Sequence, residues 1–311
     1  MARLPSRNSR TMTESVVGSD LLAHQRAAIA TALVSLCDQS LGAVSTRIAD
    51  AIRYSVLGEG KRMRGTLVLS AFEAAGGVGD AAPLAAAVEV VHAYSLVHDD
   101  LPCMDDDDMR RGRPTVHRVF GVPTATAAGL AMVPLAARCA ASAAFAMGLD
   151  ASTASAIVVD LMRASGGGGM IGGQLLDLEG EGRPLGLHDL EQIHRAKTGV
   201  LITAAATIGG RAARTTSLRL QALATYGAAV GLAFQIADDV LDVTATTDQL
   251  GKTAGRDLAL QKSTYPAVLG IGGAKARADA LIGEGCQALR DVGLLTPALA
   301  HIARFTVERT S

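Results

Sequence analysis

A dense run of aspartates lies in the segment HDDLPCMDDDDMRRGRPT, residues 98–115. Six of the ten residues from Asp99 to Asp108 are aspartates, and like charges this close repel one another unless water or cations neutralise them. A solvated acidic loop is one interpretation. The run, however, directly follows the apolar stretch VEVVHAYSLV and precedes Arg110 and Arg111. This arrangement predicts that its first aspartates lie at the mouth of a helical bundle.

The spacing within this run also constrains its geometry. On an unbroken helix, Asp99 and Asp105 would point about 240° apart at about 100° per residue, so they would not share an ion easily. Pro102 lies between them, removes a backbone donor and clashes with the preceding turn. The sequence therefore predicts a distortion at Pro102 that lets both carboxylates converge.

A second aspartate cluster occurs in FQIADDVLD, residues 234–242. Asp238 and Asp242 are four residues apart, which places their Cβ atoms roughly 5–6 Å apart on one helix face, and Asp239 flanks them. Carboxylate oxygens without histidine or cysteine suit Mg²⁺. A pentapeptide such as DDVLD also occurs on exposed helices. The prediction of a metal site therefore depends on both clusters, facing each other across a cavity around one diphosphate.

Cations lie beside both acidic clusters. GEGKRMR at residues 58–64 places three of them after a glycine turn, and Lys197, Lys252 and Lys262 follow later. Each alone is typical of a surface cation. Arginine binds phosphate in a bidentate manner and lysine supplies a mobile charge, so the group indicates anionic substrates. The glycines of residues 166–173 lack a nucleotide-loop motif and a preceding strand, which favours close helix packing against a substrate or partner there.

The composition bounds the fold and excludes some classes of function. Hydrophobic residues make up 49% of the 311 residues and aromatic residues only 3%, which favours closely packed helices over a β-sandwich. A net charge of −1 does not indicate a nucleic-acid-binding protein. The four cysteines form no CxxC pair, so free thiols are expected. We also expect a cytoplasmic protein without a signal peptide or membrane span.

The hydrophobic periodicity predicts one all-α domain of roughly ten or more helices, packed as a bundle. Residues 1–18 are expected to form a disordered tail and residues 19–311 the domain. No segment shows strand alternation. Helices are predicted over Leu21–Val56, Thr66–Ala75, Pro83–Asp100, Thr124–Ala146, Ser152–Ala164, Leu187–Ile208, Ser217–Val243 and Ala276–Val292.

These motifs together resemble those of the trans (E-type) polyprenyl diphosphate synthases, specifically the short-chain farnesyl and geranylgeranyl diphosphate synthases. The resemblance extends from about Leu21 to the C-terminus. It is carried by GKRMR, HAYSLVHDDLPCMDDDDMRRGRPT, GGQLLDL, IHRAKTG, FQIADDVLD, LGKTAGRD and KSTYP. It implies the isoprenoid synthase type I fold around a central apolar cavity, and a homodimer.

The resemblance also implies a role for each matching residue. The implied Mg²⁺ ligands are Asp99, Asp100 and Asp105 in the first cluster and Asp238, Asp239 and Asp242 in the second, with two ions at the first and one at the second. The implied site for the allylic diphosphate comprises Arg110, Lys197, Lys252 and Lys262. The implied site for isopentenyl diphosphate comprises Lys61, Arg64, His92 and Arg111. Thr198 and Gln235 would line the forming allylic cation, and the implied catalytic set is Asp99, Asp105, Lys197, Thr198, Gln235 and Asp238.

The implied reaction is ionisation of an allylic diphosphate, attack by the double bond of isopentenyl diphosphate, and loss of a proton. Farnesyl diphosphate is the expected product, made from dimethylallyl and geranyl primers, with geranylgeranyl diphosphate as the alternative. In this family the residues four and five before the first aspartate tend to set the cavity floor. Here they are Ser95 and Tyr94, and a tyrosine would obstruct a growing chain.

The sequence departs from the family pattern at three positions on two segments. The family usually has proline after GKRMR, whereas this chain has Gly65, and the aspartate of the usual AGDAL is replaced by Leu130. Pro134 follows inside the same helical stretch. These departures raise the hypothesis of a specialised enzyme and do not involve the expected diphosphate ligands.

Three other functions are compatible with parts of the pattern. A class I terpene cyclase is also all-α with aspartate-rich motifs, but it does not need the isopentenyl site, which Lys61, Arg64, His92 and Arg111 retain. A non-catalytic subunit of a prenyl synthase does not require two complete aspartate clusters. A metal-binding scaffold leaves the arginines and lysines unexplained.

Overall fold

The computed structural model describes residues 8–244 and 262–309, with side chains from residue 22 onward. The described residues form a helical bundle with thirteen α-helices. In chain order they are α1 (Asn8–Ser40), α2 (Thr46–Val56), α3 (Met63–Ala74), α4 (Ala82–Asp99), α5 (Val116–Phe120), α6 (Val122–Ala146), α7 (Ala151–Ser165), α8 (Met170–Glu179), α9 (Leu187–His194), α10 (Val200–Ala212), α11 (Ser217–Thr244), α12 (Tyr265–Asp291) and α13 (Pro297–Glu308). One turn of π-helix, Arg195–Gly199, joins α9 to α10.

The all-α prediction is confirmed, and the element boundaries differ in several places. The predicted helix Leu21–Val56 is interrupted between Ser40 and Thr46. The predicted helix Leu187–Ile208 contains the π-helical turn, and α8 and α13 were not predicted. Helix α8 was not predicted because its glycines lower the helix propensity of the segment. The disordered tail at residues 1–18 stays a prediction, and α1 is described from Asn8.

The described chain also contains one extended segment, too short to show strand alternation in the sequence. Two short strands, β1 (Met109–Arg110) and β2 (Arg113–Pro114), pair antiparallel. At the turn between them Arg111 has φ 53° and Gly112 has φ 73°, as a type I′ hairpin requires. The sequence Arg-Gly lacks the asparagine or aspartate that usually marks such a turn, so the hairpin had no clear local signal.

Small residues allow the central helices to approach closely. α10 and α11 pack against each other, α11 packs along α12, and α4 packs on α6. A Cβ atom on Gly227 would lie 2.7 Å from Cα of Thr203, and one on Gly231 would lie 2.6 Å from Cα of Gly199. Larger side chains at these two positions of α11 would push it away from α10 and the π-helical turn.

Two helices of the described chain, α6 and α11, are long and apolar enough to cross a membrane by length and composition alone. In each, about half of the apolar window is buried inside the bundle, 44% and 56% respectively. Core helices of this length have the same composition, so neither helix is an argument for a span. The cytoplasmic location stays a prediction. All four cysteines are free thiols, as expected, and Cys37 and Cys286 are buried.

Candidate active site

A cavity of about 650 Å³ opens between α3, α4, α8, α11, α13 and the π-helical turn. Most of the residues singled out in the sequence lie in its wall, although they come from segments far apart in the chain. These wall residues are Lys61, Arg64, His92, Ser95, Asp99, Asp105, Arg110, Arg111, Lys197, Thr198, Gln235, Asp238, Asp239 and Lys262. Four other predicted site residues are not among them. Asp100, Asp242 and Tyr94 are buried outside the described cavity wall, and Lys252 lies outside the described residues.

The first aspartates lie where α4 ends. Asp99 is its last residue, and the backbone N–H of Asp105 donates to the carbonyl oxygen of Asp99 at 2.8 Å. The loop thus folds back, and both side chains face the same cavity. Burial raises the pKa of Asp99 to about 6, and the charge of Asp105 acts in the same direction, although Lys197 opposes it. This wall therefore holds negative charge that is only partly neutralised.

Asp100 has a different task from its neighbour Asp99. It is buried and accepts a hydrogen bond from Nε of Arg110 at 2.6 Å, while Asp107 accepts one from Nη2 at 3.1 Å. Burial opposes the charge of Arg110, but these carboxylates outweigh it and raise the pKa of the guanidinium. Asp100 therefore holds Arg110 in the cavity wall instead of facing the cavity itself.

The second cluster is held by protein donors. Arg309, a residue that sequence reasoning missed, donates to Oδ1 of Asp238 at 3.2 Å and lies 3.9 Å from the ring centroid of Phe234. Asp239 is 3% exposed and accepts the backbone N–H of Tyr265 at 3.0 Å. Asp242 is buried on the same helix. Asp238 and Asp239 both border the cavity, and Asp238, with 32% of its side chain exposed, is the more accessible of the two to a ligand.

A group of basic side chains also lines the cavity. Burial, Arg309 and Arg111 lower the pKa of Lys61, and burial lowers that of Arg64 to about 10. The pKa of His92 is held well below its usual range by burial and by Arg64 and Arg111, so the imidazole is neutral at physiological pH. Arg111 is fixed by donating to the carbonyl oxygen of Glu59 at 2.9 Å. We call Lys61, Arg64, His92 and Arg111 the cationic corner.

Asp177 lies in the motif GGQLLDL. The sequence analysis predicted no role for it. Its Oδ2 accepts from Nζ of Lys197 at 2.6 Å and from Nζ of Lys262 at 2.8 Å. Burial alone would raise its pKa, but the two lysines lower it to about 2. Asp177 thus fixes both lysines beside the first cluster. Its position three residues after Gln174, on the same helix face, was the available signal.

Close packing of α8 on the π-helical turn positions Lys197 and Thr198. A Cβ atom on Gly173 would lie 2.6 Å from Cα of Lys197, so the close packing at this glycine is within the chain, and packing of these glycines against a substrate or partner stays a prediction. The hydroxyl of Thr198 donates to Oε1 of Gln235 at 2.9 Å. The π-helical turn and α11 therefore present one polar pair to the cavity.

Two of the departures from the family pattern have distinct surroundings. The N–H of Gly65 donates to Oε1 of the buried Glu89 at 2.7 Å, a bond that the family's usual proline cannot make because it has no N–H. Leu130 lies on the outer side of α6 and is 64% exposed. Neither residue lies in the cavity wall.

Comparison with known proteins agrees with this geometry. A family model described as polyprenyl synthetase matches residues 45–293. The chain is 44% identical to the farnesyl diphosphate synthase of Escherichia coli over 272 residues, covering 85% of this chain and 90% of that protein.

Solved structures share the whole fold. A geranylgeranyl pyrophosphate synthetase from Pyrococcus horikoshii superposes with a TM-score of 0.83 at 29% identity, covering 95% of this chain and 99% of that one. A geranyltransferase from Helicobacter pylori, solved in complex with magnesium and isoprenyl diphosphate, gives a TM-score of 0.74 at 29% identity over 98% of both chains. The chain therefore belongs to the polyprenyl synthetase family, as a trans-prenyltransferase of the farnesyl and geranylgeranyl diphosphate synthase group.

Proposed function

We propose that this enzyme condenses isopentenyl diphosphate with dimethylallyl and then geranyl diphosphate, using Mg²⁺, to make farnesyl diphosphate. The observation that carries the proposal is that a basic group and an acidic group of side chains line one cavity. The cationic corner and the acidic wall formed by Asp99, Asp105 and Asp238 both line this cavity, and they come close where the charge of Asp238 acts on Lys61. Two diphosphates can thus be bound in two ways, one directly by cations and one through metal ions.

The cationic corner suits the diphosphate of isopentenyl diphosphate. Burial lowers the pKa of Lys61, Arg64 and Arg111, and repulsion from neighbouring cations adds to the effect, while the Glu89 carboxylate opposes it at Arg64 and Arg111. A bound diphosphate would offset this repulsion with charge-assisted hydrogen bonds, which are about twice as strong as neutral ones. The neutral His92 adds a donor without adding charge.

The allylic diphosphate is assigned to the acidic wall and its neighbouring cations. Arg110 is oriented by Asp100, and Lys197 and Lys262 are oriented by Asp177. Lys252 is assigned to the same site, and it lies outside the described residues. Because these cations are fixed before the substrate binds, they need not be reorganised when negative charge develops on the leaving group.

The residues present fit Mg²⁺. Asp99, Asp105 and Asp238 offer only carboxylate oxygens, and within the described residues no group of three acidic, histidine or cysteine side chains encloses an ion by itself. Mg²⁺ usually keeps several waters and binds one or two carboxylates plus substrate phosphates. We propose two ions at Asp99 and Asp105 and a third at Asp238. The magnesium in the Helicobacter pylori complex supports the choice of this ion.

The chemistry then follows from the positions of the side chains. Bound Mg²⁺ supplies Lewis-acid charge withdrawal from the leaving diphosphate. Arg110 and Lys197 stabilise the same developing charge. Breaking the C–O bond leaves an allylic cation beside Thr198 and Gln235, and the double bond of isopentenyl diphosphate attacks it. The departing diphosphate accepts the proton lost from the adduct, and the apolar helices exclude water that would quench the cation.

Farnesyl diphosphate is proposed as the product over geranylgeranyl diphosphate, through Tyr94 and Ser95. Ser95 lies in the cavity wall one turn before Asp99. Tyr94 packs edge-to-face on His98, with ring centroids 5.0 Å apart, and lies behind that wall. Tyr94→Ala should therefore lengthen the product only if the neighbouring wall opens into the freed space. Ser95→Phe should shorten it directly, and unchanged products from both variants would contradict this assignment.

A homodimer is proposed from the outer surface of α6. Leu130 and Phe145 are 64% and 58% exposed there, and large apolar side chains exposed on one helix favour a protein partner. Light scattering of the purified protein should give twice the chain mass. The double variant Leu130→Glu/Phe145→Glu should reduce that mass, and a monomeric wild type would contradict the proposal.

Product analysis tests the function itself. Purified protein with Mg²⁺, dimethylallyl diphosphate and isopentenyl diphosphate should release farnesyl diphosphate as the longest main product. A terpene cyclase would instead convert a C10 or C15 diphosphate to hydrocarbon without consuming isopentenyl diphosphate. The absence of prenyl diphosphates with C5, C10 and C15 primers alike would overturn the proposal and leave a non-catalytic subunit as the explanation.

A further inference from the structure

A chain of hydrogen bonds connects Thr198 and Gln235 to Asp239. The inference drawn from this chain rests on the proposed function. The hydroxyl of Thr198 donates to Oε1 of Gln235 at 2.9 Å, and Nε2 of Gln235 donates to Oδ1 of Asp239 at 3.3 Å. The other oxygen of Asp239 accepts the backbone N–H of Tyr265 at 3.0 Å and lies 3.2 Å from Nε2 of His194. Thr198, Gln235, Asp239 and His194 all border the cavity, but Asp239 is buried at its edge.

The direction of these bonds is fixed by Asp239. An ionised carboxylate only accepts hydrogen bonds, so Gln235 must turn its NH₂ group toward Asp239. Its carbonyl oxygen then faces Thr198, and the single hydroxyl hydrogen of Thr198 points to that oxygen. The remaining lone pairs of the Thr198 oxygen are thereby left for the cavity. Only one orientation of the Gln235 amide satisfies the carboxylate, so the hydrogen-bond network itself assigns it.

Asp239 is itself held from several sides. It is 3% exposed, and its three protein neighbours use three of about four acceptor positions on the carboxylate. His194 stacks on the ring of Tyr265, with ring centroids 5.7 Å apart and planes 17° apart, so both neighbours of Oδ2 support each other. This geometry differs from that of Asp99 and Asp105, which face the cavity at the first cluster.

We propose that Asp239 is a positioning residue, which fixes the polarity of Thr198 so that an oxygen lone pair faces the electron-poor allylic carbon. The family resemblance implied that Asp239 is a Mg²⁺ ligand. In this proposal Asp238 alone binds Mg²⁺ at the second cluster. A correctly oriented hydroxyl dipole stabilises positive charge in a water-free site without reorganisation. A reversed dipole presents its hydrogen to the same carbon and disfavours the cation.

The variant Asp239→Asn should reverse this polarity. Its single amide oxygen is needed by the buried N–H of Tyr265, so its NH₂ group faces Gln235. The amide of Gln235 then flips and offers its own NH₂ to Thr198, whose hydrogen turns toward the cavity. In rapid-quench single turnovers with geranyl and isopentenyl diphosphates, we expect a 10- to 100-fold slower rate. The half-saturating Mg²⁺ concentration should change less than twofold.

The double variant Asp239→Asn/Gln235→Glu supplies the rescue. The carboxylate introduced at position 235 accepts hydrogen bonds from both the amide introduced at position 239 and the hydroxyl of Thr198. This restores the polarity and keeps the total charge, so the single-turnover rate should rise at least fivefold over Asp239→Asn. A purely structural role for Asp239 predicts no rescue. Thr198→Val gives a second readout, since adding it to Asp239→Asn should cost much less than it costs the wild type.

The outcomes separate this inference from the function on which it rests. A wild type without prenyl transfer overturns both. An active wild type with no rescue by the double variant overturns the inference alone. So does an Asp239→Asn variant that regains the full rate at high Mg²⁺, because that result makes Asp239 a metal ligand. If Asp239→Asn does not fold, additive losses from Thr198→Val and Gln235→Glu would contradict the coupling.

Discussion

The cationic corner and the acidic wall of the cavity carry opposite charges. At the corner, burial lowers the pKa of Arg64 to about 10, and at the wall, burial raises the pKa of Asp99 to about 6. Both shifts disfavour the charged forms that the reaction needs. The two regions differ in their counter-charge, because a diphosphate can neutralise the corner directly but can bind the wall only through cations. Metal should therefore be required for one substrate and not for the other.

The largest effect is expected from breaking the acidic wall. Asp99→Asn should lower turnover roughly 10³-fold, because losing about 4 kcal/mol of charge stabilisation at a metal site corresponds to about three factors of ten. Asp106→Asn is the matched control, since Asp106 is exposed in the same run and tolerates asparagine at its φ of 50°. Steady-state rates of the two variants test this, and equal rates would contradict the assignment.

Breaking the cationic corner should affect the other substrate. Arg64→Gln should raise the Kd for isopentenyl diphosphate roughly 30-fold, equivalent to about 2 kcal/mol for a buried charged contact. The Kd for geranyl diphosphate in Mg²⁺ should stay within about threefold. Arg53→Gln, on a half-buried side chain of α2 that contacts only the i−3 carboxylate of Asp50 among the ion pairs of the described residues, provides the control. Equal weakening of both substrates by Arg64→Gln would show that the two sites are not separate.

Stability should respond in opposite directions at Asp99 and Asp177. The folded pKa of Asp99 is above its usual value, so its ionisation costs stability, and this cost grows from about pH 4 to pH 6. Asp99→Asn should therefore stabilise the metal-free protein at pH 7 by roughly 1–3 kcal/mol. Asp177 has a folded pKa of about 2, so its contribution is present above about pH 4 and is lost as pH falls through about 2.

Asp177→Asn should accordingly destabilise the protein by about 2 kcal/mol at pH 7. Urea unfolding in a metal chelator measures both variants on the same scale. Destabilisation by Asp99→Asn would mean that this carboxylate has a partner that compensates its burial.

The smallest effect is expected at Arg309. Its guanidinium binds Asp238 and thus competes with a cation there. Arg309→Met should lower the half-saturating Mg²⁺ concentration about two- to fivefold, in line with about 1 kcal/mol for a partly exposed ion pair. The control variant Arg304→Met, at an exposed position of α13, should not lower the half-saturating Mg²⁺ concentration. A raised Mg²⁺ requirement would instead assign Arg309 to substrate binding.

The sequence predicted the parts of the site that local patterns encode. Pro102 and the charge density around it predicted the turn that brings Asp105 beside Asp99, and the helical periodicity predicted the all-α fold. The roles of Asp177, Arg309 and Asp239 were not predictable in this way. Each depends on a contact between segments about 20 to 85 residues apart, such as Lys262 with Asp177, and such pairings follow from the packing of the bundle.

The assignment of one substrate to the cationic corner and the other to the acidic wall is tested most directly by calorimetric binding of each substrate with and without Mg²⁺. The wild-type protein in a metal chelator should bind isopentenyl diphosphate with a Kd within about threefold of its value in Mg²⁺. Under the same conditions a non-hydrolysable geranyl diphosphate analogue should bind at least about 30-fold more weakly than in Mg²⁺. Equal metal dependence of the two ligands would contradict the division of the cavity into a cationic corner and a metal-binding wall.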